Sequence, residues 1–554
     1  MMPGRRPGPS WQPLAVLLAV WAGAMLLANP RGDFPLNDDW CFAQPVQTLT
    51  EAGSLRYPWC VQATLVTHVL WGSAFVSLSH FSFHVLRLST LVLTALGGIV
   101  VWRLFRDVGR STGMAAVLAA VFLFNPIVFE LSATFMTDVP FAVWSALATL
   151  CFLRALRRPT TWTLAVATLC GVAATMLRQP GVFLPLMFSF VFIDTHPLSR
   201  RTILSASAPL FVAVLVMLGH QYWLDVIHGQ PQYYAHFMGG LPPASRGVLH
   251  MAADIAKRLF NIVFHVSWML LPALLLTATR PSTRGGRRAL AGVVIGALVL
   301  TLASGKVAPW GSTLIYDMGI GPPLLRDGDS LAAPIPRAPH LVWLLWTLAG
   351  AAGTALFAHR IGAYAWKVYQ TPASARPFDA RLRRRLADPD VAVVALMLGA
   401  AVLAIGAMAA LQFHDRYVLF LIPPLIVVCA MTADATGSAP VRWMQAAAVA
   451  VLVGFAAVAV VGTHDYFSWN RARWAAIDRI VSSGRYASTE IDGGAEFMRW
   501  KNALPNPIEH PKIVVAFGEI SGYKACAASS FTRWAPHKTD RLLVLVPATD
   551  GCPW

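Results

Sequence analysis

Charge is what this sequence has least of. Only 13% of its 554 residues are Asp, Glu, Lys or Arg, and 27 acids face 44 bases. A soluble globular chain carries about 25% charged residues, so a cytosolic enzyme is excluded. A disordered scaffold is excluded too, because disorder goes with low hydrophobicity and high charge. Cysteine is equally sparse, and seven residues do not make a disulfide scaffold. No repeat recurs at a fixed period. A phosphate-binding loop of nucleotide type is also missing, since Gly285-Gly286 and Gly493-Gly494 do not fit one. Nucleoside-triphosphate hydrolysis therefore has no support.

What is abundant is apolar surface. Hydrophobic residues make up 56% of the chain, with 20 Trp and 29 Phe. That composition predicts an all-α polytopic membrane protein, with aromatic rings favouring the membrane–water interface. Thirteen apolar segments read as transmembrane helices, near 13–29, 84–104, 112–128, 139–155, 161–177, 180–193, 203–220, 258–278, 287–303, 339–358, 391–411, 417–432 and 443–462. The stretch 62–80 carries His68, Ser73, Ser77 and Ser79 and reads as an interfacial helix inside the first outer loop, 30–83. Arg5 and Arg6 precede an apolar run without a small-residue cleavage site, which predicts a retained first helix.

The net charge of +17 is not a nucleic-acid signature, because the bases fall in short gaps between apolar runs. With the N-terminus inside, the inner pieces hold 22 of the 44 bases and only 6 of the 27 acids. The positive-inside rule then orients the whole chain. It predicts a multi-pass protein of a bacterial inner (cytoplasmic) membrane with residues 1–462 in the membrane part. The tail, 463–554, falls on the periplasmic side. Strand-like Ile513–Phe517 and Leu542–Val546 make that tail a small α/β unit. The stretch 371–390 reads as a cytoplasmic linker. Cys41 and Cys60 share one outer loop and Cys526 and Cys552 share the tail, so each pair is placed either to bond or to stay as thiols.

The outer loops carry the chemistry. Asp38 and Asp39 lie just past the first helix, beside Trp40. Adjacent carboxylates repel, so one gains proton affinity unless a cation compensates. Such a group can take a proton from an attacking hydroxyl. It can equally be a polar end to a helix. Asp138 sits before Val139-Pro140, where Thr137 or Asp138 is suited to cap the next span. Arg178, Lys306, Arg326 and Arg416 recur at outer span ends, where guanidinium and ammonium groups suit a lipid phosphate. His414 and Tyr417 flank Arg416. His68, His80, His84 and His414 lack tight ligand spacing, and a divalent ion on Asp38 or Asp39 stays open.

These residues carry a resemblance. An acidic pair follows the first helix (Asp38-Asp39), Leu86-Arg87-Leu88 opens the second span, and Met136-Thr137-Asp138-Val139-Pro140 stands at a span junction. The tail adds His464 to Trp474 and Ile491 to Phe497. The chain resembles the membrane glycosyltransferases of the GT-C fold, in the branch of the bacterial protein O-mannosyltransferases and the lipid A aminoarabinose transferase. The family's acidic pair is commonly Asp-Glu, and here it is Asp-Asp, which leaves the identity of the base open between the two. The resemblance implies an inverting sugar transferase using a polyprenyl-phosphate-sugar donor, with a glycan, lipid or protein acceptor. Asp38 would be the general base, with Asp39 and Asp138 in support. Arg178, Arg416 and Lys306 would steady the departing phosphate. A membrane transporter or flippase of a lipid-linked or small substrate is the rival expectation.

Overall fold

The structure, a computed structural model, describes residues 10–239, 248–278, 288, 291–292, 295–296, 299, 314–315, 339–370, 388–433, 441–502, 508, 510–535 and 537–552. Its helices are α1 (Gln12–Ala28), α2 (Asp39–Ala52), α3 (Val66–Val76), α4 (Phe83–Asp107), α5 (Thr112–Leu123), α6 (Pro126–Ser132), α7 (Asp138–Arg157), α8 (Thr161–Thr175), α9 (Phe183–Thr195), α10 (Arg200–Tyr222) and α11 (Gln232–Gly239). They continue with α12 (Val248–Leu276), α13 (His340–Gln370), α14 (Pro389–Ala410), α15 (Ile422–Met431), α16 (Arg442–Ser482) and α17 (Ala495–Asn502).

Among the described residues, seven helices are long and apolar enough to cross a membrane, or eight if the bent pair α5–α6 is one span. The chain is a multi-pass membrane protein. Thirteen spans were expected, and not all of the expected segments reach that length among the described residues. Helix α1, helix α8 and the helical segment Gln179–Thr195 are apolar but shorter. The segment expected near 287–303 lies outside the described residues, apart from scattered helical positions, as does most of the linker 371–390. The segment expected at 417–432 is a 3-10 helix, Asp415–Leu421, followed by the ten-residue α15. Pro423 and Pro424 lack an N–H and fit only in a first turn, which sets where α15 starts.

The bend between α5 and α6 is 71°. The Asn125 side chain accepts the N–H groups of Ile127 and Val128, and Pro126 starts the new helix. That turns α6 off the line of α5 and carries Glu130 into the interior, fully buried.

The bundle has two chemically different ends. Helix α4 runs from Phe83 to Asp107 and α7 runs back from Asp138 to Arg157, so Arg154 meets Asp107 at 2.6 Å. Arg103 joins them at 3.3 Å. The other end holds the first loop, Asp138 and Arg178. There α2 and α3 pack on each other, with α3 inside the stretch expected as an interfacial helix. A disulfide joins Cys41 in the first turn of α2 to Cys60.

Helix α16 runs unbroken for 41 residues, across position 462 where the tail was expected to begin. Its stretch from Gly462 to Asn470 is buried, and the helix packs there against a four-stranded sheet of order β1-β2-β4-β3. The strands are β1 (Ile491–Asp492), β2 (Ile513–Ala516), β3 (Tyr523–Trp534) and β4 (His537–Pro547). β1 pairs with β2 in parallel, and the other pairings are antiparallel. This is the small α/β unit expected of the tail. Cys526 and Cys552 are bonded within it.

Candidate active site

The loop that leads to the acidic pair is held from three sides. Arg87, on α4 and almost fully buried, donates to the carbonyls of Pro30 at 3.3 Å, Gly32 at 2.6 Å and Phe34 at 3.2 Å. Its guanidinium also lies over the rings of Phe34 and Phe467. Arg471 donates to the Asn29 carbonyl at 2.8 Å. From the tail, Glu496 accepts the N–H of Asn37 at 3.2 Å.

Asp38 and Asp39 are treated very differently. Asp39 opens α2 and is 1% exposed. Its Oδ1 accepts the N–H of Phe135 at 2.9 Å and its Oδ2 accepts the N–H of Leu36 at 3.4 Å. Burial pushes its carboxyl up to about 7, against the pull of Arg87 and those two N–H groups. Asp38, one residue earlier, keeps 39% of its side chain exposed. Its Oδ2 accepts from Arg416 Nη2 at 2.9 Å.

Arg416 also lies 3.9 Å from Asp138, whose side chain is 1% exposed. Arg178 donates to the other oxygen of Asp138 at 2.7 Å. The two guanidinium groups share the ring of Tyr417, at 4.9 Å for Arg178 and 5.5 Å for Arg416. Burial works against the charge on Arg416, but Asp138 and Asp38 outweigh it and hold the group firmly protonated. The result is an alternating row, Asp38–Arg416–Asp138–Arg178. Asp138 therefore does not act as a helix cap, and Thr137 at the N-cap makes no side-chain cap bond either.

Local backbone chemistry presents Arg178 to this row. Gly181 lies so close to the end of α8 that a Cβ there would sit 2.5 Å from the Thr175 nitrogen. Only glycine lets the 178–182 turn fold onto the helix end. Beside Arg178 and Tyr417 opens a groove whose walls include Phe141, Met408, Leu411 and Phe420. Apolar side chains dominate its wall, which also holds Gln62, Gln179, Gln412 and the cation Arg178.

The other expected residues are placed as follows. His68 is buried, with Nε2 3.0 Å from the Phe135 carbonyl oxygen and its ring stacked on Phe135 at 3.9 Å. Burial pushes its imidazole down to about 4, so it is neutral beneath the 133–137 turn. His414 Nδ1 lies 2.7 Å from Asp415 Oδ1. Asp415 accepts the N–H of Leu314. Burial opposes the charge on Asp415, yet His414, His265 and the Leu314 N–H outweigh it and hold the carboxyl below its usual range. Lys306 and Arg326 lie outside the described residues. Among the described residues no group of three or more His, Cys, Asp or Glu is placed to hold a metal ion.

Four residues next to the row were not singled out for a role by sequence: Arg87, Glu130, Arg473 and Glu496. Arg87 stood inside a quoted Leu-Arg-Leu, but no spacing says that it grips carbonyls more than fifty positions away. Arg473 and Glu496 are both fully buried and paired at 2.8 Å. No sequence signal marks them, since other charges, Arg471, Asp478 and Arg499, stand close by in the chain.

Residues 65–223 match the family described as dolichyl-phosphate-mannose-protein mannosyltransferase. The match includes Asp138 and Arg178 and ends before Arg416; Asp38 precedes it. Solved structures that overlay on the chain include ArnT from Cupriavidus metallidurans in the apo state, at 12% identity and a TM-score of 0.39, covering 96% of this chain and 97% of that one. The same protein bound to undecaprenyl phosphate overlays at 12% identity and a TM-score of 0.37, covering 98% and 99%. Arabinosyltransferase EmbB from Mycobacterium smegmatis overlays at 14% identity and a TM-score of 0.34, covering 76% of this chain and 44% of that one. No curated protein sequence matches the chain.

Proposed function

We propose that the chain is an inverting glycosyltransferase that moves a sugar from a polyprenyl-phosphate donor to an acceptor hydroxyl at the outer face of the bacterial inner membrane. One observation carries this reading: a partly exposed carboxylate, Asp38, heads a charged row whose far end, Arg178, stands in the wall of a largely apolar groove. A lipid-linked donor has that same division, a hydrocarbon tail and a phosphate at the interface. The family match over residues 65–223 supports a mannosyltransferase-like chemistry for this part.

In this reading the tail of the donor lies in the groove beside Phe141, Met408 and Leu411. Its phosphate meets Arg178 and Arg416, whose fork geometry suits two phosphate oxygens. The acceptor oxygen attacks the anomeric carbon from the face opposite the phosphate. The bond from that carbon to the phosphate oxygen breaks, and its electron pair leaves with the phosphate. The hydroxyl proton passes to Asp38. A single displacement inverts the anomeric configuration. Asp138 holds both guanidinium groups at the place where negative charge grows. Asp39, spent on two backbone N–H groups, fixes the loop rather than touching the acceptor. The basic cluster at the other bundle end supports a cytoplasmic N-terminus and an outward-facing site.

The test uses the full chain in membranes with a panel of undecaprenyl-phosphate-linked sugars, reading release of undecaprenyl phosphate. Asp38→Asn is expected to lower turnover by about a hundredfold or more, while undecaprenyl phosphate binding persists. Normal turnover in that variant rejects Asp38 as the base. Substrate flux across sealed vesicles without any glycosylated product replaces the whole reading with transport.

A further inference from the structure

The residue before the proposed base is in an unusual conformation. Asn37 has φ +53°, the left-handed region, and is almost fully buried. Neither its side-chain oxygen nor its side-chain nitrogen has a hydrogen-bond partner in the structure. Asparagine enters this region more readily than most residues, usually with local side-chain hydrogen bonds to help. Here that help is missing, and what holds the residue is its backbone N–H, which donates to Glu496 Oε1 at 3.2 Å.

Glu496 is itself rigidly mounted. It sits in the first turn of α17, fully buried, and its Oε2 accepts from Arg473 Nη2 at 2.8 Å. Arg473, on the outer half of α16, is fixed in turn by the Gly493 carbonyl at 2.8 Å and by Asn470 Oδ1 at 3.2 Å. A buried pair of this kind is costly to break and holds one geometry. The tail thus reaches back 459 positions to grip the peptide next to Asp38.

We infer that Glu496 is a positioning residue: through the Asn37 N–H it holds the left-handed turn that aims Asp38 at the acceptor, so the tail domain sets the geometry of the base. This rests on the glycosyl-transfer reading above. Asp38 has its own anchor only on one oxygen, at Arg416, and that guanidinium is also needed by the donor phosphate. Once Arg416 turns toward phosphate, the backbone turn is what keeps the carboxylate in place. Donor binding, which uses Arg178 and the groove, does not depend on Glu496.

The experiment uses the full-length protein and two readouts. Hydrogen–deuterium exchange of peptides covering 33–42 is read without any substrate. Turnover on the undecaprenyl-phosphate-sugar panel gives kcat and KM. Glu496→Ala is expected to speed exchange in 33–42 and to lower kcat about tenfold, with donor KM within about twofold of the parent. Asn37→Pro removes the N–H and the left-handed φ but leaves the Arg473–Glu496 pair intact, so it serves if Glu496→Ala does not fold. It is expected to match Glu496→Ala in kcat.

Parent-like exchange and kcat in Glu496→Ala overturn the inference, and so does parent-like kcat in Asn37→Pro. A rise in KM with unchanged kcat makes Glu496 a ligand contact instead. Asp38→Asn is run alongside. If it is inactive while Glu496→Ala behaves like the parent, only the positioning role falls. If it turns over like the parent, Asp38 is not the base and the positioning role falls with that assignment, while glycosyl transfer itself stands.

Discussion

The backbone N–H of Phe135 donates to Asp39 Oδ1 at 2.9 Å, and this bond joins the first outer loop to the turn between α6 and α7. It is what brings Asp38 and Asp138, a hundred positions apart, to the two sides of Arg416. The carboxyl that makes the bond is buried and protonates near pH 7 rather than near 4.

That shift sets a pH dependence of stability. The folded state binds the Asp39 proton more tightly than the unfolded chain, so its contribution is full below about pH 4 and is lost as pH rises through about 7. The loss is on the order of 4 kcal/mol, an upper bound for a buried group. The apparent melting temperature of the detergent-solubilised protein is expected to fall between pH 4 and pH 7. Asp39→Asn flattens that part of the curve. An unchanged slope in the variant refutes the assignment to Asp39.

Arg178 and Asp138 give a second expectation. Arg178→Ala leaves Asp138 with only the distant contact to Arg416, and breaking a buried pair costs about 3–5 kcal/mol. That variant is expected to express poorly. Arg178→Lys keeps a charge but loses the planar fork, so the protein is expected to fold and to bind undecaprenyl phosphate about tenfold more weakly. Binding equal to the parent places the phosphate elsewhere.

The disulfides give a third. Cys41→Ser with Cys60→Ser opens a loop of 19 positions, which costs about 3 kcal/mol of stability and loosens the first turn of α2 next to Asp38. The melting temperature is expected to drop, and turnover with it. Loss of stability without loss of turnover shows that α2 does not need this tie for activity.

The fourth concerns orientation. Cys552 is exposed, and Cys151, Cys170 and Cys429 are buried. After an impermeant reductant, an impermeant thiol reagent is expected to label Cys526 and Cys552 in right-side-out vesicles. Labelling confined to inside-out vesicles reverses the proposed topology.

Much of this architecture was legible in the sequence. Apolar runs placed α4, α7, α10, α12, α13, α14 and α16, because a bilayer demands length and a lack of charge that few other settings demand. Length alone misled where proline intervened, as at Pro423 and Pro424, and where Asn125 and Pro126 folded one apolar run into two helices. Asp38, Asp138, Arg178 and Arg416 each carried a local signal at a span end. Their order in a row did not, because it depends on which helix ends meet. Asp138 looked like a cap, and its neighbours in space made it the centre of an ion network instead. Glu496 had no pattern of its own, since the group it holds is a peptide N–H that any residue would offer.

Arg87 has one more consequence. By binding three carbonyls within 30–34 from inside the bundle, it removes the hinge that a swinging outer loop needs. A prenyl donor, as proposed, would then find this loop closed to it. In the proposed reading it would enter sideways from the lipid, past Phe420 and Leu411, and the rate of exchange of spent carrier would then follow the thickness and fluidity of the surrounding bilayer.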